Sequence, residues 1–325
     1  MTPRPAWSWL GRRLVLALPV VAGVTALTFV LIHLAPGDPI YALAGDGGSP
    51  AYYADMRARY GLDRPLPAQF ATYAGLVFSG ELGYSFMFQA PVSRVILEHL
   101  PASLLLGMTA LLVAVAGGVP LGALCAAAPG TWFDRAVVLT TSTIYAAPVF
   151  WTGQLLMLLL ALKLGWLPVA GMNSARVTPA GAAYAADVAR HLVLPALTLA
   201  LPFAAIIVSV TRASVIGMLR EPFITAAAAR GASRWRLVAW HAVPNAAPPI
   251  AALIGQHAAE IAAGAALTES LFGWPGMGYL VLHASLHRDY PLVTGAFILI
   301  SAGVVMVNFA TDAACAWLDP RARLL

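Results

Sequence analysis

Six apolar runs constrain this 325-residue chain more than any other feature: Leu14 to Leu34, and runs near residues 101–128, 136–162, 192–211, 246–268 and 292–317. Each is about twenty residues or longer, enough for a helix rising about 1.5 Å per residue to cross a hydrocarbon layer about 30 Å thick. Inside that layer each backbone N–H and C=O must find its partner within the protein, so the fold class is an all-α integral membrane protein with six transmembrane helices. Composition agrees. Only 10% of residues are charged against 60% hydrophobic, whereas a soluble domain carries about 25% charged residues. The first run exceeds the roughly 7 to 15 apolar residues of a signal peptide, and no small-residue cleavage site precedes Pro36-Gly37-Asp38-Pro39, so it reads as a retained span.

Basic residues orient the spans. With the N-terminus inside, the inner segments carry Arg4, Arg12, Arg13, Arg135, Arg212, Arg220, Arg230, Arg234, Arg236, Arg321 and Arg323. Eight basic residues are then outside, four of them (Arg57, Arg59, Arg64 and Arg94) in the long segment 35–100, which the positive-inside rule discounts. The comparison of 11 against 4 puts both termini in the cytoplasm. The expected division is an inner tail and first span (1–34), an external loop (35–100) with short helices over Tyr52 to Tyr60 and Gln69 to Phe78, a five-helix core (101–317) that includes a cytoplasmic stretch at 212–249, and a cytoplasmic tail (318–325). The net charge of +5 belongs to this asymmetry; with no basic patch interleaved with aromatics, nucleic acid is not an expected partner.

Several kinds of chemistry are excluded. The single lysine, Lys163, follows Leu162, so the chain has no Gly-Lys-Ser/Thr phosphate loop and no nucleotide site of its own. No Gly-x-Ser-x-Gly elbow occurs, and the serines and histidines form no recognisable nucleophile and base pair, so no catalytic residues are assigned. His283 and His287 have a zinc-compatible spacing but neither an intervening glutamate nor a third ligand, so no metal is expected. Cys125 and Cys315 both lie in apolar runs and read as packing residues.

The fifth run is the least hydrophobic. Leu253, Gln256, His257, Glu260 and Gly264 recur at offsets that put them on one helical face. A carboxylate at mid-membrane costs roughly 2.5–3.5 kcal/mol, so Glu260 is expected to face protein or a water-filled cavity. Two readings stand: Gln256, His257 and Glu260 line a translocation path, or Glu260 only hydrogen-bonds a neighbouring helix. For Asn245, Glu269, Asn308 and Asp312 interhelical hydrogen bonding is the default. The turn Phe272-Gly273-Trp274-Pro275-Gly276-Met277-Gly278 reads either as a gate or re-entrant element centred on Trp274, Pro275 and Gly276, or as an interfacial turn with Trp274 among the headgroups.

The stretch from Arg212 to Pro249 breaks the apolar pattern with arginines. Glu221 and Pro222 read as a helix start and Gly231 as its stop, giving a helix of about ten residues whose alanines, Ala226 to Ala229, leave one side thin enough for another protein to approach. Ser233 reads as the cap of a second short helix ending before Pro244.

Taken together, several segments resemble the permease subunits of binding-protein-dependent ABC importers of the dipeptide/oligopeptide/nickel class, specifically the first permease of the pair. They are Pro36-Gly37-Asp38-Pro39, Gly61-Leu62-Asp63-Arg64-Pro65-Leu66-Pro67, Gly80-Glu81-Leu82-Gly83-Tyr84-Ser85, Leu164-Gly165-Trp166-Leu167-Pro168, Glu269 through Gly278, Arg288-Asp289-Tyr290-Pro291 and Leu318-Asp319-Pro320-Arg321. The resemblance extends to that family's cytoplasmic coupling loop, with Thr225 where the general pattern has glutamate, Ala226 and Ala227 at its alanines, Gly231 at its glycine, and His241, Val243 and Pro244 at its Ile-x-Leu-Pro. It implies a type I ABC importer permease fold in a bacterial inner membrane. It also implies a second homologous permease, two cytoplasmic ATP-binding subunits that supply ATP hydrolysis, an external solute-binding protein, and ATPase contact through Glu221, Thr225, Ala226, Ala227, Arg230, Gly231 and Pro244. The implied solute is a peptide, with nickel chelates, glutathione or opines as alternatives. A competing class, a proton-driven secondary transporter with Glu260 and His257 as relay, leaves the capped, small-residue segment in the cytoplasmic stretch without a purpose.

Overall fold

The computed structural model describes residues 6–34, 38–45, 48–174, 180–262 and 265–318. Pro36, Gly37, Gly264 and the tail from Asp319 lie outside the described residues, as does Arg4. The chain is helical almost throughout. Helix α1 (Ala6–Leu34) leads into three short helices, α2 (Pro39–Ala44), α3 (Pro50–Tyr60) and α4 (Leu66–Phe78), and a two-residue antiparallel hairpin of β1 (Tyr84–Ser85) and β2 (Ala90–Pro91). The core follows: α5 (Val92–Ala127), α6 (Trp132–Ala146), α7 (Val149–Leu156) continued by a π-helical turn at Met157–Lys163, and α8 (Gly181–Met218). The last third contains α9 (Pro222–Ala229), α10 (Arg234–Arg236), a second π-helical turn (Leu237–Ala242), α11 (Val243–Asn245), α12 (Ala247–Ala262), α13 (Ala266–Phe272), α14 (Met277–Leu286) and α15 (Tyr290–Leu318).

Among the described residues three helices, α5, α8 and α15, are each long and apolar enough to cross a membrane, and two bent pairs bring the total to as many as five. The 29-residue α1 is compatible with a sixth crossing. The first bent pair turns by 106° between α6 and α7, where Ala147 is extended (φ −78°, ψ 136°) ahead of Pro148, as the steric clash of a proline ring with the preceding residue requires. The second bends by 59° between the segment Arg234–Asn245 and α12.

The centre of the molecule is the packing of α5 on α8. Residues Leu106, Ala110, Ala114, Gly118, Gly122 and Ala126 recur every fourth position on α5 and are all buried. A Cβ at Gly118 would come within 2.7 Å of the Ile207 side chain, and one at Gly122 within 2.7 Å of the Val208 carbonyl oxygen. The small stripe therefore lets the two backbones approach closely, which is how helices associate where lipid is as apolar as leucine.

Several boundaries differ from expectation, among them the earlier starts of α3 at Pro50, α4 at Leu66 and α8 at Gly181. Helix α5 begins at Val92, earlier than the apolar run, because the hairpin delivers the chain directly into it: Val92 N–H bonds the Gly83 carbonyl at 3.1 Å. Helix α12 ends at Ala262, and a separate helix α13 carries the chain from Ala266 to Phe272.

The segment before α5 is a small subdomain built on local caps. Asp38 caps α2 by accepting from Ile40 N–H at 3.1 Å, and Ser49 caps α3 by accepting from Tyr52 N–H at 3.2 Å. Gly61 ends α3 at φ +63°, the left-handed conformation that glycine adopts without penalty. The Ile40 N–H, and after it the ion pair with Arg57, hold the Asp38 carboxyl below its ordinary value against the opposing effect of burial. Burial pushes the Tyr60 phenol up to about 12. Tyr60, Tyr73 and Leu43 pack with Phe29 and Ile32 of α1 and Ile298 of α15, so the subdomain is seated on the first and last long helices at once.

Candidate functional site

Three groups of residues carry the site expectations. The first is α9 and its surroundings. Glu221 is extended (φ −74°, ψ 146°) and precedes Pro222 at the first helical position, and Gly231 follows the last turn at φ +85°; the helix itself spans eight residues. It buries Ile224 and Ala227, and Ile224 joins a cluster with Ala123 and Ala126 of α5, Val215 of α8, and Val238, Ala242, Ala246 and Ile250 beyond it. Its other side is open: Glu221, Thr225, Ala226, Ala228, Ala229, Arg230 and Gly231 are exposed. Ala226 and Ala227, adjacent in sequence, are thus separated in role, since consecutive helical residues point about 100° apart.

Ser233 caps the next helix as expected, its Oγ accepting from Arg236 N–H at 3.4 Å. That helix does not end before Pro244. The turn Leu237–Ala242 is π-helical, and Pro244 sits near the start of α11 as helix continues to Asn245. A π-turn widens the hydrogen-bonding pattern from i−4 to i−5, so the donor that proline lacks falls where the ladder is already interrupted. Asn245 bonds within its own helix, its Nδ2 donating to the His241 carbonyl at 2.7 Å; Pro244 itself is exposed.

The second group is the polar face of α12, which divides into two ridges. Leu253 and His257 turn toward α8, where the His257 ring packs on Phe203 with centroids 4.6 Å apart and is 3% exposed. Gln256 and Glu260 lie on the adjacent ridge and are exposed, and together with Asn308, Thr311 and Asp312 of α15 they line a cleft of about 670 Å³. Residues one turn apart share a ridge, and the two ridges lie about 60° apart around the helix, which separates the single face expected from the sequence. His257 Nδ1 lies 2.9 Å from Glu260 Oε2, the geometry of an N–H donating to a carboxylate, so one ridge steadies the other. Helix α15 comes close because Gly255 leaves the space: a Cβ there would overlap Thr311.

The third group is the aromatic and glycine-rich turn between α13 and α14. Trp274 is fully buried, and its Nε1–H donates to the Ala102 carbonyl of α5 at 2.8 Å. The headgroup-anchor reading of Trp274 is thereby overturned: an indole whose N–H finds a partner inside the protein gains from complete burial. Glu269, 1% exposed, holds the turn: its Oε1 accepts from Ser103 Oγ at 2.6 Å and its Oε2 from Tyr279 N–H at 2.9 Å, while Ser103 Oγ accepts from Met277 N–H at 2.7 Å. Gly276 is buried directly against this carboxylate, where any Cβ would overlap Glu269 Oε1 and Ser103 Oγ, and Pro275 is partly buried beside it. Sequence reasoning passed over Ser103 and Asp134, whose partners are 166 and 78 residues away. The α5 stripe was also passed over, although its four-residue spacing is readable in the sequence.

Long apolar helices packed through small residues, an eight-residue helix with one face exposed among arginines, and a polar cleft between two apolar helices describe a membrane transport subunit. The model for the inner membrane component of binding-protein-dependent transport systems matches residues 118–324, and that for the N-terminal part of such membrane components matches residues 7–107; the chain belongs to this family of inner-membrane permeases. Among its relatives is the dipeptide transport system permease protein of Escherichia coli K12, 36% identical, the alignment covering 96% of this chain and 97% of the relative. The di/tripeptide transport system permease protein of Pseudomonas aeruginosa UCBPP-PA14 is likewise 36% identical over 97% and 98% of the two chains. A probable D,D-dipeptide transport system permease protein of E. coli K12 is 36% identical over 97% of each.

Proposed function

We propose that this protein is the peptide-conducting permease subunit of an ATP-driven importer, with both termini and α9 in the cytoplasm and the segment 35–100 forming a cap outside. The observation that carries this reading is the construction of α9. Its inner face is cored into α5, α8 and the segment 234–250, while its outer face offers Thr225 and three exposed alanines to a partner. A motor docked there can move the transmembrane helices without any nucleotide chemistry in this chain. Two cytoplasmic ATPases would supply that motor, a second homologous permease would complete the path, and an external binding protein would deliver solute to the cap. Full-length similarity to dipeptide and di/tripeptide permeases favours peptides as the solute.

The path itself is assigned to the cleft between α12 and α15, where Gln256, Glu260 and Asn308 supply polar partners that a peptide needs once it leaves water. The buried turn at Trp274 to Gly276 serves as a fixed wall, locked to α5 by Glu269 and Ser103. The test is at α9: a cysteine at Ala228 in the assembled complex is expected to crosslink to an ATPase subunit. A complex that assembles fully and gives no crosslink from Ala228 or Arg230 refutes the docking role.

A further inference from the structure

The turn between α5 and α6 is gripped from two sides. From α8, Arg212 donates through Nε to Asp134 Oδ1 at 2.6 Å and through Nη2 to Oδ2 at 2.8 Å. The same Oδ2 accepts from Gly130 N–H at 2.8 Å, and Thr131 caps α6 by accepting from Asp134 N–H at 3.3 Å. From α10, Arg234 Nε donates to the carbonyl of Ala127, the last residue of α5. Asp134 is 2% exposed. The end of α5, the start of α6, the end of α8 and the segment 234–245 are thus joined at one point, immediately around the cluster that receives Ile224 of α9.

Helix α9 makes no side-chain hydrogen bond of its own among the described residues. Its seat is apolar, and it stays in register with the spans only while the elements forming that seat stay together. A buried ion pair is a poor way to gain stability, since a well-packed apolar pair of the same volume often does as well. What a bidentate arginine fork adds is fixed geometry.

We propose that Asp134 and Arg212 are positioning residues for energy coupling: they lock α6 to α8 so that a displacement applied at α9 moves the α5–α8 core as one body. This inference rests on the reading of α9 as the ATPase-docking helix. The two can fail separately, because the lock is measurable whether or not α9 is the contact.

The experiment uses the assembled complex, with its ATPases and binding protein, in proteoliposomes, and labelled alanyl-alanine as the probe solute. Asp134→Asn is expected to lower uptake per ATP hydrolysed by about two- to thirtyfold, the range over which residues in a coupling network act. Spin labels at Phe223 on α9 and Trp132 on α6 are expected to keep one distance in the wild type with and without ATP, and to separate into two distances in the variant. The double variant Asp134→Asn with Arg212→Met removes both charges together, so its membrane level and thermal stability are expected to return toward wild type while uptake per ATP remains low. If coupling returns together with stability, or if Asp134→Asn at normal membrane level retains wild-type uptake per ATP, the pair is structural only and the proposal is overturned. If Asp134→Asn does not accumulate, the double variant decides by the same ratio. If alanyl-alanine is not carried or Ala228 gives no crosslink, the label distance decides: a wild-type distance that changes with ATP, or a variant distance that does not, overturns the lock.

Discussion

At the scale of single residues, the buried Glu269 carboxylate ties the turn between α13 and α14 to α5 by accepting from Ser103 Oγ and Tyr279 N–H. Glu269 was expected to hydrogen-bond a neighbouring helix, which it does through Ser103 of α5, but nothing in the residue type named that partner. An indole in a glycine-rich turn suits either a gate or a headgroup anchor, so the sequence alone does not place Trp274; its full burial depends on α5 arriving from 172 residues earlier. The consequence is measurable. Glu269→Ala leaves the Ser103 hydroxyl and the Tyr279 N–H without their acceptor in a buried site, a cost of about 1–3 kcal/mol for each group left unsatisfied. The expected outcome is a lowered midpoint of thermal unfolding in detergent, with Glu269→Gln closer to wild type because an amide oxygen can still accept. Equal midpoints for the alanine variant and the wild type would refute this account of the turn.

At the scale of elements, the short helices were legible because their signals are local. The start of α9 at Glu221-Pro222, its stop at Gly231 and the Ser233 cap follow from caps and turn residues that act within four positions, and the helices expected over 52–60 and 69–78 are present with starts two and three residues earlier. Pro244 misled because a proline signals a helix end only where the ladder is α-helical, and here a π-turn precedes it. The cap of α2 has a pH signature. Asp38 has a lowered value in the folded chain, so its contribution is complete above its ordinary value of 3.8 and is lost as pH falls through the still lower folded value. Hydrogen exchange across residues 38–45 is therefore expected to be unchanged from pH 7 to pH 5 after correction for intrinsic rates and to quicken below about pH 3.8, with Asp38→Asn abolishing that step. A step of equal size in the variant would assign it to another group.

At the scale of the whole molecule, the six apolar runs made the architecture legible, since the backbone's need for partners in lipid leaves few alternatives. What they could not disclose is which faces meet. The division of the α12 face is the clearest case, with His257 against α8 and Glu260 in the cleft with α15. If the cleft carries solute, Glu260→Ala at normal membrane level is expected to reduce uptake by about tenfold or more, the effect of losing one charge-assisted hydrogen bond; undiminished uptake returns Glu260 to a purely structural role. The seating of the cap on α1 and α15 bears on biogenesis. Phe29 and Ile32 share their cluster with Ile298, so the first helix made waits for the last. At about 5–20 residues per second of synthesis, that interval is on the order of tens of seconds. Throughout it α1 and the cap must persist beside the ribosome with one face unclosed, which makes the arrival of α15 the step that commits the newborn chain to its final shape.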